Sequence, residues 1–220
     1  MSDLARYLDH TLLRPEASAA EVSRVIEEAA EHGFAAVCIP PVYVAAAARA
    51  LGGTAVRTCT VVGFPLGYVH PAVRLAESRQ AVADGAQELD TVLNLSWLKS
   101  GEDERVLDDL SRWVAAARQE RAGLVLKVIL ETALLSDAEK LRGAGLVVAS
   151  GADFVKTSTG FSRGGATVGD VSLLASAVAG RIGVKASGGI RDAATARAMI
   201  AAGATRLGTS SSVAIVAEAG

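Results

Sequence analysis

The sequence is poor in cysteine and has no concentration of charge of either sign. Its two cysteines, Cys38 and Cys59, stand in no CxxC or CxxH spacing, so neither a disulfide scaffold nor a structural zinc site has support. We predict that both are reduced thiols in strands. The 22 Lys and Arg residues nearly balance the 24 Asp and Glu residues, and no basic block occurs, which makes nucleic acid a poor candidate partner.

Long apolar runs and metal-binding spacings are also missing. No stretch of about 18 apolar residues is free of charge, and the segment after Met1 is not the apolar run of a signal peptide. We therefore expect a cytoplasmic protein with no membrane partner. His10, His32 and His70 occur in no HxH or HExxH spacing, so we predict no metal site.

Short apolar runs alternate with Ala-rich stretches of helical period throughout the chain. This alternation is typical of βα units around a parallel sheet. No linker or low-complexity segment interrupts it, which favours one domain over residues 1–220. We predict eight strands, at residues 8–11, 35–39, 56–62, 88–94, 124–130, 154–158, 183–187 and 206–209.

Helix starts are indicated by capping residues. Ser18 with Glu21 and Ser136 with Glu139 each fit the S-x-x-E capping box, which marks the first turn of a helix. After Ser18, apolar residues at positions 22, 25, 26 and 29 form one stripe suited to packing on a sheet. Further helices are predicted at residues 42–51, 71–84, 104–120, 137–150, 168–179, 192–202 and from about 210.

Eight strands alternating with eight helices predict a single α/β domain, a (β/α)8 TIM barrel. The alternative is an open doubly wound sheet, which would place a Gly-rich loop after an early strand, but GxGxxG does not occur. In a barrel, the chemistry lies at the C-terminal ends of the strands and in the loops that follow them.

Three of the five lysines, Lys127, Lys156 and Lys185, fall inside predicted strands, where lysine is depleted. A single such lysine is explained by a side chain that reaches water from a strand end. Alternation with apolar neighbours, however, points all three into the barrel, with Lys156 and Lys185 on adjacent strands. Mutual repulsion and burial there would lower the pKa of one amine and make it a nucleophile able to form a Schiff base.

A carboxylate accompanies these lysines. Alternation in the fourth predicted strand places Glu88, Asp90 and Asn94 on one face, which we expect to point inward. Two interpretations of Asp90 remain open. It either pairs with a lysine in a buried polar network or carries protons between a substrate and Lys185. Both interpretations require the same contact.

Glycine- and hydroxyl-rich loops follow the last predicted strands. Gly188 and Gly189 come after the seventh strand. At the end of the eighth strand stands the segment from Gly208 to Ser212, which includes Ser210 and Ser211. Barrels commonly bind phosphate at this position through bare backbone N–H groups and the start of a short helix. Gly-Gly alone would indicate no more than a tight turn. After Lys156, the segment from Thr157 to Gly160 adds further hydroxyl and backbone donors on the same rim.

Taken together, these motifs resemble those of the class I, Schiff-base 2-deoxyribose-5-phosphate aldolase family. The resemblance runs from Leu8 to Val213. It is carried by LDHTLLRPEAS from Leu8, VCIPPVYV from Val37, VVGFPLG from Val61, ELDTVLNLSWLKSG from Glu88, LKVILET from Leu126, DFVKTSTGF from Asp153, VKASGGIRD from Val184 and GTSSS from Gly208.

The resemblance implies reversible cleavage of 2-deoxy-D-ribose 5-phosphate to acetaldehyde and D-glyceraldehyde 3-phosphate, in deoxyribose phosphate catabolism. It implies no metal or organic cofactor, and homo-oligomers are expected because members are often dimers. Lys156 is the implied Schiff-base lysine, Lys185 the lysine that perturbs it, and Asp90 the proton donor and acceptor. By the same resemblance, the substrate-binding set is Asp9, Thr11, Cys38, Lys127, Thr157, Gly160, Gly188, Gly189, Gly208, Ser210 and Ser211.

The sequence departs from the family pattern at two places. Trp97 replaces a small residue, and we expect its ring to narrow the mouth of the site. The C-terminal tyrosine of some members has no counterpart in the final Ala217–Gly220. The lysine argument alone leaves two other functions open. One is a Schiff-base aldolase or transaldolase for a different phosphosugar, and the other is a phosphosugar-binding barrel without catalysis.

Overall fold

A computed structural model describes residues 3–220. Eight parallel strands alternate with helices in this range. The strands are β1 (Leu8–Thr11), β2 (Ala36–Ile39), β3 (Arg57–Val62), β4 (Glu88–Val92), β5 (Val125–Ile129), β6 (Phe154–Lys156), β7 (Gly183–Ser187) and β8 (Arg206–Thr209).

The helices form the outer layer. They are α1 (Ala19–His32), α2 (Val44–Ala50), α3 (Pro71–Ala83), α4 (Leu95–Lys99), α5 (Asp103–Glu120), α6 (Asp137–Ser150), α7 (Val168–Val178), α8 (Ala193–Ala201) and α9 (Ser212–Ala219). Short 3₁₀ turns lie at Ala5–Tyr7, Pro41–Tyr43 and Thr132–Leu134. Between residues 3 and 220, no helix combines the length and hydropathy needed to cross a bilayer.

The strands close into a barrel in sequence order, and the predicted (β/α)8 fold is confirmed. Each strand pairs in parallel with the next, and β8 pairs with β1 through Gly208 and Asp9. Because all strands run in the same direction, their C-terminal ends meet at one rim. Asp90 is in register with Lys127, and Lys156 is in register with Lys185.

The capping residues predicted from sequence start two of the helices. Ser18 and Ser136 each accept a hydrogen bond from the backbone of the glutamate three residues on, and that glutamate bonds back to the serine backbone. The stripe on α1 is buried as expected at Val22, Val25, Ile26 and Ala29. These local features fix α1 and α6 against the sheet.

The structure corrects several predicted boundaries. The fourth strand ends at Val92, not at residue 94, because the Asn94 side chain caps α4 and accepts from the Trp97 backbone N–H at 3.2 Å. Asn94 is therefore not part of the inward strand face. The sixth strand ends at Lys156, two residues before the predicted end at residue 158. The last helix starts at Ser212, after a rim loop that keeps Ser210 and Ser211 outside it.

Apolar and charged residues occupy different layers of the barrel. The main apolar core, which includes fully buried Val37, Leu89 and Val155, packs between the strands and the helices. A smaller apolar cluster of Ala36, Cys38, Cys59 and Val61 comes from β2 and β3. The rest of the barrel interior is charged, and its acidic and lysine side chains from the strands are each at most 3% exposed: Asp9, Glu88, Asp90, Lys127, Lys156 and Lys185. Such a charged interior needs a reason beyond packing, since burial of unpaired charge is costly.

Candidate active site

Asp90 is bound by three ammonium groups at the centre of the barrel. Its Oδ1 accepts from Lys127 Nζ at 2.8 Å, and its Oδ2 accepts from Lys156 Nζ at 2.8 Å and from Lys185 Nζ at 2.9 Å. The amines of Lys156 and Lys185 donate to the same oxygen. The distance between the two nitrogens is therefore no greater than the sum of these two hydrogen-bond distances. The predicted inward lysines and the predicted contact with Asp90 are confirmed.

A second layer of ion pairs lies beneath this centre. Lys185 also binds Asp9, whose Oδ1 accepts from Arg206 at 2.7 Å. Arg206 also forms an ion pair with Glu88 at 3.2 Å, and Glu88 forms one with Lys127 at 2.5 Å. The network therefore joins β1, β4, β5, β7 and β8 across the barrel, as the buried-network interpretation of Asp90 requires.

Cations outnumber carboxylates in this buried network. The cations number four: Lys127, Lys156, Lys185 and Arg206. The carboxylates number three: Asp9, Glu88 and Asp90. Half-exposed Arg57 adds a weaker contact to Glu88 at 3.8 Å. Burial of an excess positive charge in a low-dielectric interior is unfavourable, so stability alone does not explain this network.

The pKa directions show which groups keep their charge. Burial alone would raise the pKa of Asp90, but Lys127, Lys156 and Lys185 outweigh it and hold that pKa well below its usual range. Burial would lower the pKa of Lys185, yet Asp9 and Asp90 outweigh it and raise that pKa. The pKa of Lys127 is raised in the same way, chiefly by Asp90 against burial. Asp90 is therefore a carboxylate, and Lys127 and Lys185 are ammonium ions.

The two cysteines lie side by side in register on β2 and β3, and both are free thiols, as predicted. Cys59 Sγ donates to Asp90 Oδ1 at 3.4 Å. Burial, together with its contact to Cys38, raises the pKa of the Cys59 thiol. The hydrogen bond from Cys59 lowers the pKa of Cys38. Cys38 thus lies beside the charged centre, on the apolar side of the interior.

Two groups of ligand atoms in the described residues are close enough to hold a cation. They are Cys38, Cys59 and Asp90, and Asp9, Cys59 and Glu88, with the ligand atoms of each group within 4.8 Å of one another. Both carboxylate oxygens of Asp90 already accept from lysine ammonium groups. A metal ion would meet the repulsion of these cations, so the donor set suits an aldehyde-capturing amine better than a metal.

A cavity of about 450 Å³ opens above Lys156 at the C-terminal rim. Predicted residues from four rim loops line it: Thr11, Gly160, Gly188, Gly189, Gly208 and Ser210. Asp9, Asp90, Lys127 and Lys185 are buried in the barrel beneath. Cys38, Thr157 and Ser211 are not among the described residues that line this cavity. Thr157 instead ties β6 to β7, since its hydroxyl donates to the Ser187 carbonyl at 3.2 Å.

The loop after β7 is shaped by glycine. Gly188 has φ +87°, a left-handed conformation that favours glycine. A Cβ there would lie 3.0 Å from Gly165 Cα, because the loop after β6 packs directly on this turn. The Ala166 backbone N–H bonds the carbonyls of both Ser187 and Gly188 at 3.0 Å. The two rim loops therefore hold one another, and they leave bare backbone facing the cavity.

Sequence reasoning missed three arginines of the site. Arg14 and Arg191 line the same cavity as Lys156, and both stand inside motifs that carry the family resemblance. Arg206 binds Asp9 and Glu88 below it. A signal existed for Arg206, since alternation in β8 places it on the same inward face as Gly208.

Trp97 was predicted to narrow the mouth of the site, and the structure contradicts this. Because Asn94 starts α4, the Trp97 side chain points to a separate groove outside the barrel, shared with Tyr68 and His70. Its ring is covered there by the Arg105 guanidinium, 4.1 Å from the ring centroid. The mouth is instead flanked by Phe161, whose ring meets Phe64 edge-on at 5.3 Å.

Known proteins share both this sequence and this geometry. A family model described as DeoC/LacD family aldolase matches residues 4–217. A deoxyribose-phosphate aldolase of Brevibacillus brevis is 50% identical over 217 residues, covering 99% of this chain and 96% of the relative. One of Geobacillus sp. is 49% identical over 215 residues, covering 98% and 95%. The tetrameric deoxyribose phosphate aldolase of Aeropyrum pernix superposes with a TM-score of 0.91 at 38% identity, covering 98% of this chain and 90% of that one.

Proposed function

The chain belongs to the DeoC/LacD family of aldolases, and we propose that it cleaves 2-deoxy-D-ribose 5-phosphate reversibly to acetaldehyde and D-glyceraldehyde 3-phosphate. The observation that carries the proposal is the Lys156 amine. It lies 2.8 Å from the buried Asp90 carboxylate and lines a cavity that the Gly188 and Gly208 segments also line. A nucleophile and a phosphate-binding rim thus face the same space.

Lys156 is the amine assigned to the Schiff base. Among the described residues it contacts one carboxylate, Asp90, whereas Lys127 and Lys185 each contact at least two. It is therefore the amine of the three with the fewest neighbouring carboxylates. Lys156 is also the member of the group that lines the cavity, so it can meet the C1 aldehyde of the open-chain sugar.

The cleavage then follows from an electron sink and two proton carriers. The Lys156 nitrogen adds to C1, water leaves, and the protonated imine forms. Removal of the C3 hydroxyl proton allows the C2–C3 bond to break. The electron pair of that bond moves into the imine, which gives an enamine and releases glyceraldehyde 3-phosphate. Asp90 and charged Lys185 hold and return protons at this centre. Protonation at C2 and hydrolysis release acetaldehyde and regenerate Lys156.

The phosphate is assigned to the segments at the ends of β7 and β8. The Gly188–Gly189 turn and the Gly208–Ser210 segment supply backbone N–H groups, and Arg14 and Arg191 supply positive charge beside the same cavity. Phosphate held there places the reacting end of the sugar toward Lys156. Self-association is proposed as well, on the likeness to the tetrameric relative of Aeropyrum pernix.

Replacing Gly188 with alanine tests the phosphate assignment. We expect KM for deoxyribose 5-phosphate to rise by about tenfold or more, because the new Cβ displaces the turn from Gly165. Gly180→Ala is a matched control, since Gly180 also has a left-handed φ of +73° but would place its Cβ in open space. Each substitution costs about 1–2 kcal/mol of backbone strain. Equal KM values in the two variants would remove the Gly188 turn from phosphate binding.

The proposed reaction is tested by incubating the purified protein with deoxyribose 5-phosphate and quantifying both products. We expect acetaldehyde and glyceraldehyde 3-phosphate in equal amounts, and resynthesis of the sugar when both are supplied. Turnover of another phosphosugar, with none of deoxyribose 5-phosphate, would assign the chain a different aldolase or transaldolase reaction. Binding of the sugar without any product would identify a non-catalytic barrel.

A further inference from the structure

Glu131 has an unusual conformation just beyond the end of β5. It is a non-glycine residue with a left-handed φ of 55°, and its side chain is only 3% exposed. Left-handed backbone is unfavourable for a residue with a side chain, and such conformations persist where the surroundings enforce them. Alternation continued from Lys127 would place Glu131 on the inward strand face, but the chain leaves the strand at Ile129. The glutamate therefore points elsewhere.

The Glu131 carboxylate binds the loop that follows the Schiff-base lysine. Its Oε2 accepts from the Thr159 backbone N–H at 3.1 Å and also from the Thr159 hydroxyl. The Thr159 hydroxyl oxygen in turn accepts from the Phe161 backbone N–H at 3.0 Å. Thr159, Gly160 and Phe161 all line the cavity. One carboxylate oxygen thus fixes three consecutive residues of the cavity wall.

The rest of the carboxylate has no such contact. Its Oε1 is buried and accepts no hydrogen bond from the residues that the structure describes. Within residues 3–220, no Lys, Arg or His nitrogen lies within salt-bridge distance of Glu131. A buried carboxylate without a cation and with one unpartnered oxygen is unfavourable for stability. Stability alone therefore does not explain why a glutamate occupies this position, whereas its contacts with Thr159 do explain it.

We propose that Glu131 is a positioning residue for the phosphosugar: it acts through Thr159 to hold the backbone of residues 159–161 where the glyceraldehyde phosphate half of the substrate binds. The inference rests on the proposed function. It assigns Glu131 no contact with the Lys156 amine. Substrate affinity is therefore expected to depend on Glu131, and imine formation with acetaldehyde, which lacks the phosphate half, is not.

Two substitutions separate this role from a structural one. Glu131→Gly removes the carboxylate at a φ that glycine adopts freely, so the backbone is not strained by the change. Glu131→Gln retains a carbonyl oxygen that can accept from Thr159. We expect the glycine variant to raise KM for deoxyribose 5-phosphate about tenfold with kcat changed less than about threefold. The glutamine variant is expected to remain within about threefold of the original KM.

Trapping with borohydride and acetaldehyde supplies the second readout. We expect the same trapping rate in the glycine variant as in the unmodified protein. An unchanged KM in that variant, or equal losses in kcat and in trapping, would overturn the inference. If the glycine variant does not fold, Thr159→Val decides, because it removes the hydroxyl link and is expected to raise KM several-fold. If the unmodified protein shows no turnover, the proposed function itself is overturned. If the unmodified protein is active and the glycine variant has the same KM, only the role of Glu131 is overturned.

Discussion

Lys156→Ala is expected to lower turnover of deoxyribose 5-phosphate by more than about 10⁴-fold, since the nitrogen that forms the covalent intermediate is lost. No neighbouring amine replaces it. Lys127 and Lys185 remain charged because carboxylates raise the pKa of each against the effect of burial, and both lie beneath the cavity. The measurement is the steady-state rate at saturating sugar, with product formation followed directly.

The same variant is expected to fold at least as well as the unmodified protein. Loss of Lys156 leaves three cations opposite three carboxylates in the buried network, so the excess positive charge disappears. Thermal unfolding measures this directly. Lys99→Ala is the control, because Lys99 is half exposed and pairs with Glu139 on the surface. Substantial turnover in Lys156→Ala would show that another group carries the covalent step.

Lys185→Leu is expected to keep the fold and to abolish most activity at neutral pH, by about 10²-fold or more. Lys185 donates to Asp90 Oδ2, the oxygen that also binds Lys156, so its charge opposes a second charge on that neighbour. Without it, the centre loses an ammonium group that holds and returns protons. The measurement is the steady-state rate at neutral pH with saturating deoxyribose 5-phosphate.

Stability is expected to change little in this variant. Asp9 retains Arg206 at 2.7 Å, and Asp90 retains Lys127 and Lys156, so no carboxylate is left without a cation. A loss of about 1–2 kcal/mol, or a few degrees in Tm, is consistent with the lost hydrogen bonds. A variant with a near-normal rate at neutral pH would remove Lys185 from the mechanism.

Much of the fold was predictable from local pattern. The bounds of β1, β7 and β8 agree with the prediction made from their short runs of strand-forming residues. The inward lysines were predictable for a related reason. Alternation along a strand fixes which face a side chain occupies, and apolar Val155 and Val184 take the helix-covered face, so Lys156 and Lys185 must point into the barrel.

Other features depend on contacts between distant strands. Alternation places Glu88 and Arg206 on the inner face, but the ion pair of Arg206 with Asp9 exists only once β8 closes on β1. Asn94 follows an apolar strand, so its use as the cap of α4 was not predicted, and the position of Trp97 was wrong as a consequence. The left-handed Glu131 has no local signature, and the Thr159 that binds its carboxylate lies on a different loop.

Borohydride reduction in the presence of deoxyribose 5-phosphate, followed by peptide mass analysis, tests the covalent step most directly. Reduction converts the imine to a stable secondary amine and so records which nitrogen captured the aldehyde. We predict a single modified peptide, with the added mass on Lys156. Modification of Lys127 or Lys185 in its place, or no modification during active turnover, would contradict the assignment.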